Sequence, residues 1–145
     1  TSVTPQRREE DLVVDVDSLE ALPNGPWPPA LVVRTLPNDD AKRTKAWSNT
    51  NPPYFTVAFM DKLVQQGVLH LLVDLPSVDR EVDAGRLEAH HAFWQVPDNP
   101  RQGCSITELV YMPSSAPDGM YLLHLGVAPM DNDAAISRPV LYPLV

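Results

Sequence analysis

The sequence predicts an α/β fold built on a mixed sheet with few helices, and three observations carry that expectation. Between residues 54 and 75 a helix-periodic segment runs through a glycine directly into an apolar strand, the succession of an α/β layer arrangement. Short β-branched runs elsewhere are bounded by proline and asparagine clusters. Sixteen prolines against six glycines in 145 residues favour stiff extended connections over long helices.

Taken in order, "DLVVDV" (11–16) and "ALVVRTL" (30–36) read as buried strands of the sheet. "YFTVAFMDKLVQQGV" (54–68) sets Phe55, Phe59, Leu63 and Val64 at helical spacing and stops at Gly67. "LHLLVDL" follows as a strand that carries Asp74 to the C-terminal edge of the sheet. "LEAHHAFW" (87–94) is a short amphipathic helix. "CSITELVYM" (104–112) and "GMYLLHLGVAPM" (119–130) read as two strands joined by the turn "PSSAPDG", and they are expected to pair antiparallel. "RPVLYPLV" closes the chain as an extended segment whose prolines suit an edge. The length and the 43% hydrophobic content fit one domain, 1–145, with its own core.

Composition narrows the function classes. The net charge is −8, and basic residues cluster only in "KRTK" (42–45), so there is no footprint for a phosphate backbone and no nucleic acid is expected as a partner. No stretch of eighteen apolar residues occurs, so no membrane span is expected. One cysteine, Cys104, opens an apolar strand and reads as a small core residue in a reducing, cytoplasmic setting. The absence of an initiator methionine fits a processed product or an excerpt of a longer chain. Glycine-rich phosphate loops, G-x-S-x-G, C-x-x-C and H-E-x-x-H are all missing, which removes most of the support for nucleotide and serine-hydrolase chemistry.

Carboxylates and imidazoles remain. His90 and His91 are neighbours on a helix and point about 100° apart, so at most one faces a given site. Either one is a ligand, or one packs while the other is exposed. Glu108 stands inside the apolar "ITELVY", where alternation places it with Ile106 and Val110. If that face is buried, the carboxylate needs a cation or metal; if it is solvated, it needs nothing. Asp74, Ser77 and Asp79 in "DLPSVDRE" lie just past a strand end, where α/β proteins place ligands, and equally suit a self-bonded turn.

The blocks "ALVVRTLPND", "SNTNPPYF", "HLLVDLPSVDRE", "LEAHHAFW", "ITELVY" and "RPVLY" occur in an order that resembles the bacterial cyclase family of metal-dependent hydrolases, which includes the bacterial kynurenine formamidases. "VDLPSVD", a histidine about ten residues later and then "TEL" form the specific part. The resemblance implies a swivelling β/β/α fold and hydrolysis of an amide such as N-formylkynurenine, a small-molecule substrate, at a centre of one or two divalent metals, zinc or manganese. It assigns metal binding to His90 and Glu108 and leaves His91 on another face. It also implies a homodimer, while Asp74, Ser77 and Asp79, by their place past the strand end, are expected at the pocket edge. The family's N-terminal H-x-G-T-H-x-D motif has no counterpart, because His70, His90, His91 and His124 are the only histidines. The chain therefore resembles the C-terminal two thirds of the family domain, and the fold is expected to be incomplete.

Two functions follow. The first is a metal-dependent hydrolase of amides, represented by a portion that keeps two ligands and is weakly active or inactive alone. The second is a non-catalytic binding or assembly domain that keeps the fold without the metal site.

Overall fold

The computed structural model describes residues 1–19, 22 and 26–144. Its strands are β1 (Ser2–Val3), β2 (Gln6–Arg8), β3 (Asp11–Val14), β4 (Ala30–Thr35), β5 (Tyr54–Phe55), β6 (His70–Val73), β7 (Ser105–Thr107), β8 (Tyr121–Val127) and β9 (Ser137–Pro143). The α-helices are α1 (Val57–Gln65) and α2 (Glu88–Trp94). A four-stranded sheet in the order β1-β4-β6-β7 is parallel throughout. A second sheet has the order β2-β3-β5, and β8 and β9 form an antiparallel ribbon. The α/β class with few helices is thus observed.

β6 sits between β4 and β7, with Leu72 opposite Val32 on one side and Thr107 on the other. Leu71, Leu72 and Val73 point alternately to both faces, yet all are fully buried. A parallel strand covered on both faces reads as a continuous apolar run, which is why "HLLV" shows no alternation. α1 covers one face through Phe59, Met60 and Leu63. Burying Phe59 alone contributes about 1.5–3 kcal/mol.

The ends of α1 are built locally. The Thr56 hydroxyl accepts the Phe59 amide as N-cap, and Phe55, expected in the helix, instead belongs to β5. At the other end Gly67, at φ +76°, donates to Val64 O at 3.0 Å, and Val68 donates to Leu63 O at 3.0 Å. These two bonds are the paired closure that a left-handed residue after a helix makes possible.

The expected hairpin between residues 104–112 and 119–130 does not form. β7 ends at Thr107 and pairs parallel with β6, while β8 takes β9 as its partner. Alternation marks a strand without naming its neighbour, and β6 offered a buried edge that the solvent-facing β8 did not. Beyond β7, Leu109 adopts φ +57°, after which its own amide and that of Val110 bond Leu75 O and Val73 O at 2.9 Å. That step breaks the alternation expected to carry Glu108 with Ile106 and Val110. The core lies between the parallel sheet and the two helices, and no described residue from 105 to 144 is buried. Among the described residues, no helix is long and apolar enough to cross a membrane.

Candidate functional site

β4, β6 and β7 run parallel, so their carboxyl ends share one edge, and that edge carries Thr35, Asp74 and Glu108. Two clusters of buried and half-buried polar groups stand there. In the first, Asp74 is 4% exposed and accepts the Thr35 amide at 2.9 Å, the Thr35 hydroxyl at 2.9 Å and Lys42 Nζ at 2.8 Å. Lys42 also donates to both Thr35 oxygens, O and Oγ1. Every partner Asp74 needs is already in the protein.

The second cluster contains His90, Asp79 and Glu108. Asp79, 7% exposed, accepts the Ala89 amide at 2.6 Å and holds His90 Nδ1 at 2.5 Å. Leu87, the N-cap of α2, is left-handed and has no capping side chain, so Asp79 supplies an acceptor to the first turn. Trp94, one helical turn on, lies against the His90 ring with centroids 5.1 Å apart. The far end of α2 is pinned by Arg101, whose guanidinium donates to Phe93 O at 2.7 Å and Val68 O at 2.6 Å. His91 is exposed, so the pair divides as the helix geometry requires.

With Nδ1 held by Asp79, Nε2 of His90 faces Glu108 Oε1 at 3.6 Å. That separation is too long for a hydrogen bond. It is the spacing expected of two atoms bound to one ion, since ligands at about 2 Å from a metal lie roughly 3–4 Å apart. Glu108 is half-buried, and burial pushes its carboxyl above the usual carboxylate range, partly offset by the bond from the Val78 amide. The Val78 amide donates to the same oxygen at 3.0 Å. A half-buried carboxylate facing a fixed imidazole nitrogen is a donor set for a divalent cation. The residues present fit such an ion as two donors. Among the described residues, no three His, Cys, Asp or Glu side chains are grouped to hold a metal.

A cavity of about 280 Å³ adjoins this cluster, sharing Asp79 with it and walled by Trp47, Pro52, Ser77, Arg80 and Leu87. Of the three residues expected at a pocket edge, Ser77 and Asp79 line the cavity. Asp74 does not stand among the lining residues, because its carboxylate turns inward to Thr35 and Lys42. Asp79 lines the wall with both oxygens already engaged. Sequence reasoning missed Trp47, which nothing but its place in a polar loop marks out, and Glu81. The Glu81 carboxylate accepts the Asn49 and Asn51 amides at 2.5 and 2.9 Å, tying the Trp47 loop to the site.

The fold has relatives among solved structures. A predicted metal-dependent hydrolase from Bacillus stearothermophilus superposes with a TM-score of 0.62 at 14% identity, over 89% of this chain and 60% of that one. A potential metal-dependent hydrolase with cyclase activity superposes at 0.60 and 13% identity, over 89% and 62%. This chain has their fold. It spans about three fifths of their length. No family model and no curated protein matches the sequence.

Proposed function

We propose that the chain carries part of the centre of a metal-dependent hydrolase acting on amides of the N-formylkynurenine kind, with His90 and Glu108 as two of the ligands of a zinc or manganese ion. The observation that carries this reading is the 3.6 Å approach of His90 Nε2 to Glu108 Oε1, eighteen residues apart in the chain, with Asp79 behind the imidazole. The likeness of fold to one predicted and one potential metal-dependent hydrolase supports it.

His90 and Glu108 would hold the metal, which would supply an activated water and polarise a substrate carbonyl. The protein's own part is to present one neutral imidazole nitrogen and one carboxylate at fixed separation. On the cavity wall, Trp47 with Pro52 and Leu87 offers an apolar surface to the body of the substrate. Catalytic sites use three protein ligands and an open position, and two donors leave an ion held mostly by water. The chain alone is therefore expected to bind divalent metal weakly and to hydrolyse N-formylkynurenine no faster than background.

Metal content after desalting and a formylkynurenine absorbance assay on the same sample test this. Weak, saturable metal binding without turnover is the expected result. Stoichiometric metal with turnover would show that further side chains complete the site. No binding that depends on His90 or Glu108 would leave the fold as a non-catalytic binding domain.

A further inference from the structure

We infer that Asp79 is a positioning residue, whose carboxylate locks His90 as the Nδ1–H tautomer so that the bare Nε2 is aimed at Glu108 before any metal arrives. The inference rests on the reading of His90 as a ligand, and its direct readout needs no metal.

Three observations support it. Asp79 Oδ2 meets His90 Nδ1 at 2.5 Å, and a carboxylate in that position only accepts, so Nδ1 carries the proton. Its second oxygen is committed to the Ala89 amide at 2.6 Å, in the residue just before His90, so one carboxylate fixes both where α2 begins and how the ring is turned. Asp79 is itself held, 7% exposed, with its own amide bonded to Ser77 Oγ at 3.1 Å. The ring has little room to rotate away, because Trp94 lies against it. A metal-binding imidazole generally donates its other N–H to a carboxylate or carbonyl, which sets the tautomer and raises ligand basicity. The chain builds that arrangement from residues eleven apart, on a loop and a helix, and leaves His91 without it.

Asp79→Asn separates this role from a merely structural one. Its amide oxygen can keep the Ala89 bond, while its NH₂ would then face Nδ1 and donate, which reverses the tautomer. Long-range ¹H–¹⁵N correlation spectra of the metal-free, histidine-labelled chain at neutral pH read this directly. In the wild type, His90 is expected as Nδ1–H with an unprotonated Nε2. In Asp79→Asn it is expected as Nε2–H, and His91 should keep the same signature in both. Zinc affinity should fall about 10- to 100-fold in the variant.

An Nε2–H tautomer in the wild type overturns the inference, as does a folded Asp79→Asn with the His90 signature unchanged. Asp79→Ala, which removes both acceptors, is the second variant if Asp79→Asn misfolds, with loss of the Nδ1–H signature expected. The expected tautomers with no zinc binding by the wild type would uphold the positioning role while defeating the metal reading. Zinc binding that Asp79→Asn leaves unaltered, with the tautomer unchanged, would do the reverse.

Discussion

Asp74 and Glu108 terminate neighbouring strands at the same edge of one sheet, yet one sits in a closed cluster and the other in an open one. Around Asp74, the Thr35 amide and hydroxyl and Lys42 Nζ satisfy the carboxylate, and its side chain is 1% exposed. Around Glu108, one oxygen takes the Val78 amide and then faces the nitrogen of a fixed ring at a distance no hydrogen bond spans. A buried charge with all its partners braces the fold. A half-buried carboxylate 3.6 Å from an imidazole nitrogen is the pair proposed above to hold a cation. The two differ in burial and in completion: Asp74 has its partners inside the protein, whereas Glu108, more exposed, is the carboxylate proposed as a metal ligand.

Substitutions can break this contrast, and the largest effect belongs to the closed cluster. Asp74→Ala strands Lys42, 12% exposed at its side chain, without its carboxylate, and should cost about 3–5 kcal/mol in urea unfolding while zinc affinity per folded molecule stays put. If stability barely changes, Asp74 is no brace. Glu108→Gln should behave in the opposite way. Zinc binding should weaken about 100-fold, or roughly 2.7 kcal/mol, with the metal-free Tm unchanged or raised, because burial already disfavours the Glu108 charge.

A third carboxylate sharpens the comparison through pH. Burial works against the Asp15 charge, but bonds from the Thr56 hydroxyl at 2.6 Å, the Val16 amide at 2.7 Å and the Arg8 guanidinium outweigh it and hold its carboxyl below the usual range. A depressed folded pKa gives stability that is present above the unfolded value of about 3.9 and lost as pH falls through the folded one. Asp15→Asn should therefore cost about 1–2 kcal/mol at pH 7. The gap to the wild type should close as the solution is taken below pH 4. A gap that persists in acid would mean that the Asp15 charge is not what stabilises the fold. The smallest effect is expected from His91→Ala: as an exposed neighbour of the proposed ligand His90, it should alter neither zinc affinity nor Tm measurably.

Much of the frame was legible because burial leaves periodic traces. The buried strand at Leu71–Val73 reads as an unbroken apolar run, and α1 declares its apolar face and its glycine stop. Glu108 was legible as an acid within an apolar segment. The partner of β7 was not, since alternation is the same whether a strand pairs in a hairpin or beside β6. Nor was the early end of that strand, because it depends on a leucine taking φ +57°, which composition does not announce. Asp74 and Asp79 could not be told apart in "DLPSVD": which carboxylate meets Lys42 and which meets His90 depends on how the chain turns through Pro76 and where α2 begins. The Asp79–His90 bond depends on that turn and leaves no spacing signal of its own.

The central claim is that His90 Nε2 and Glu108 share one metal ion. Zinc titration of the histidine-labelled chain, followed at the imidazole nitrogens, tests it most directly. A large shift at His90 Nε2 alone, with His70, His91 and His124 unmoved and the response suppressed in Glu108→Gln, is the predicted result. A His90 that does not respond, or one that responds equally in Glu108→Gln, would contradict the account.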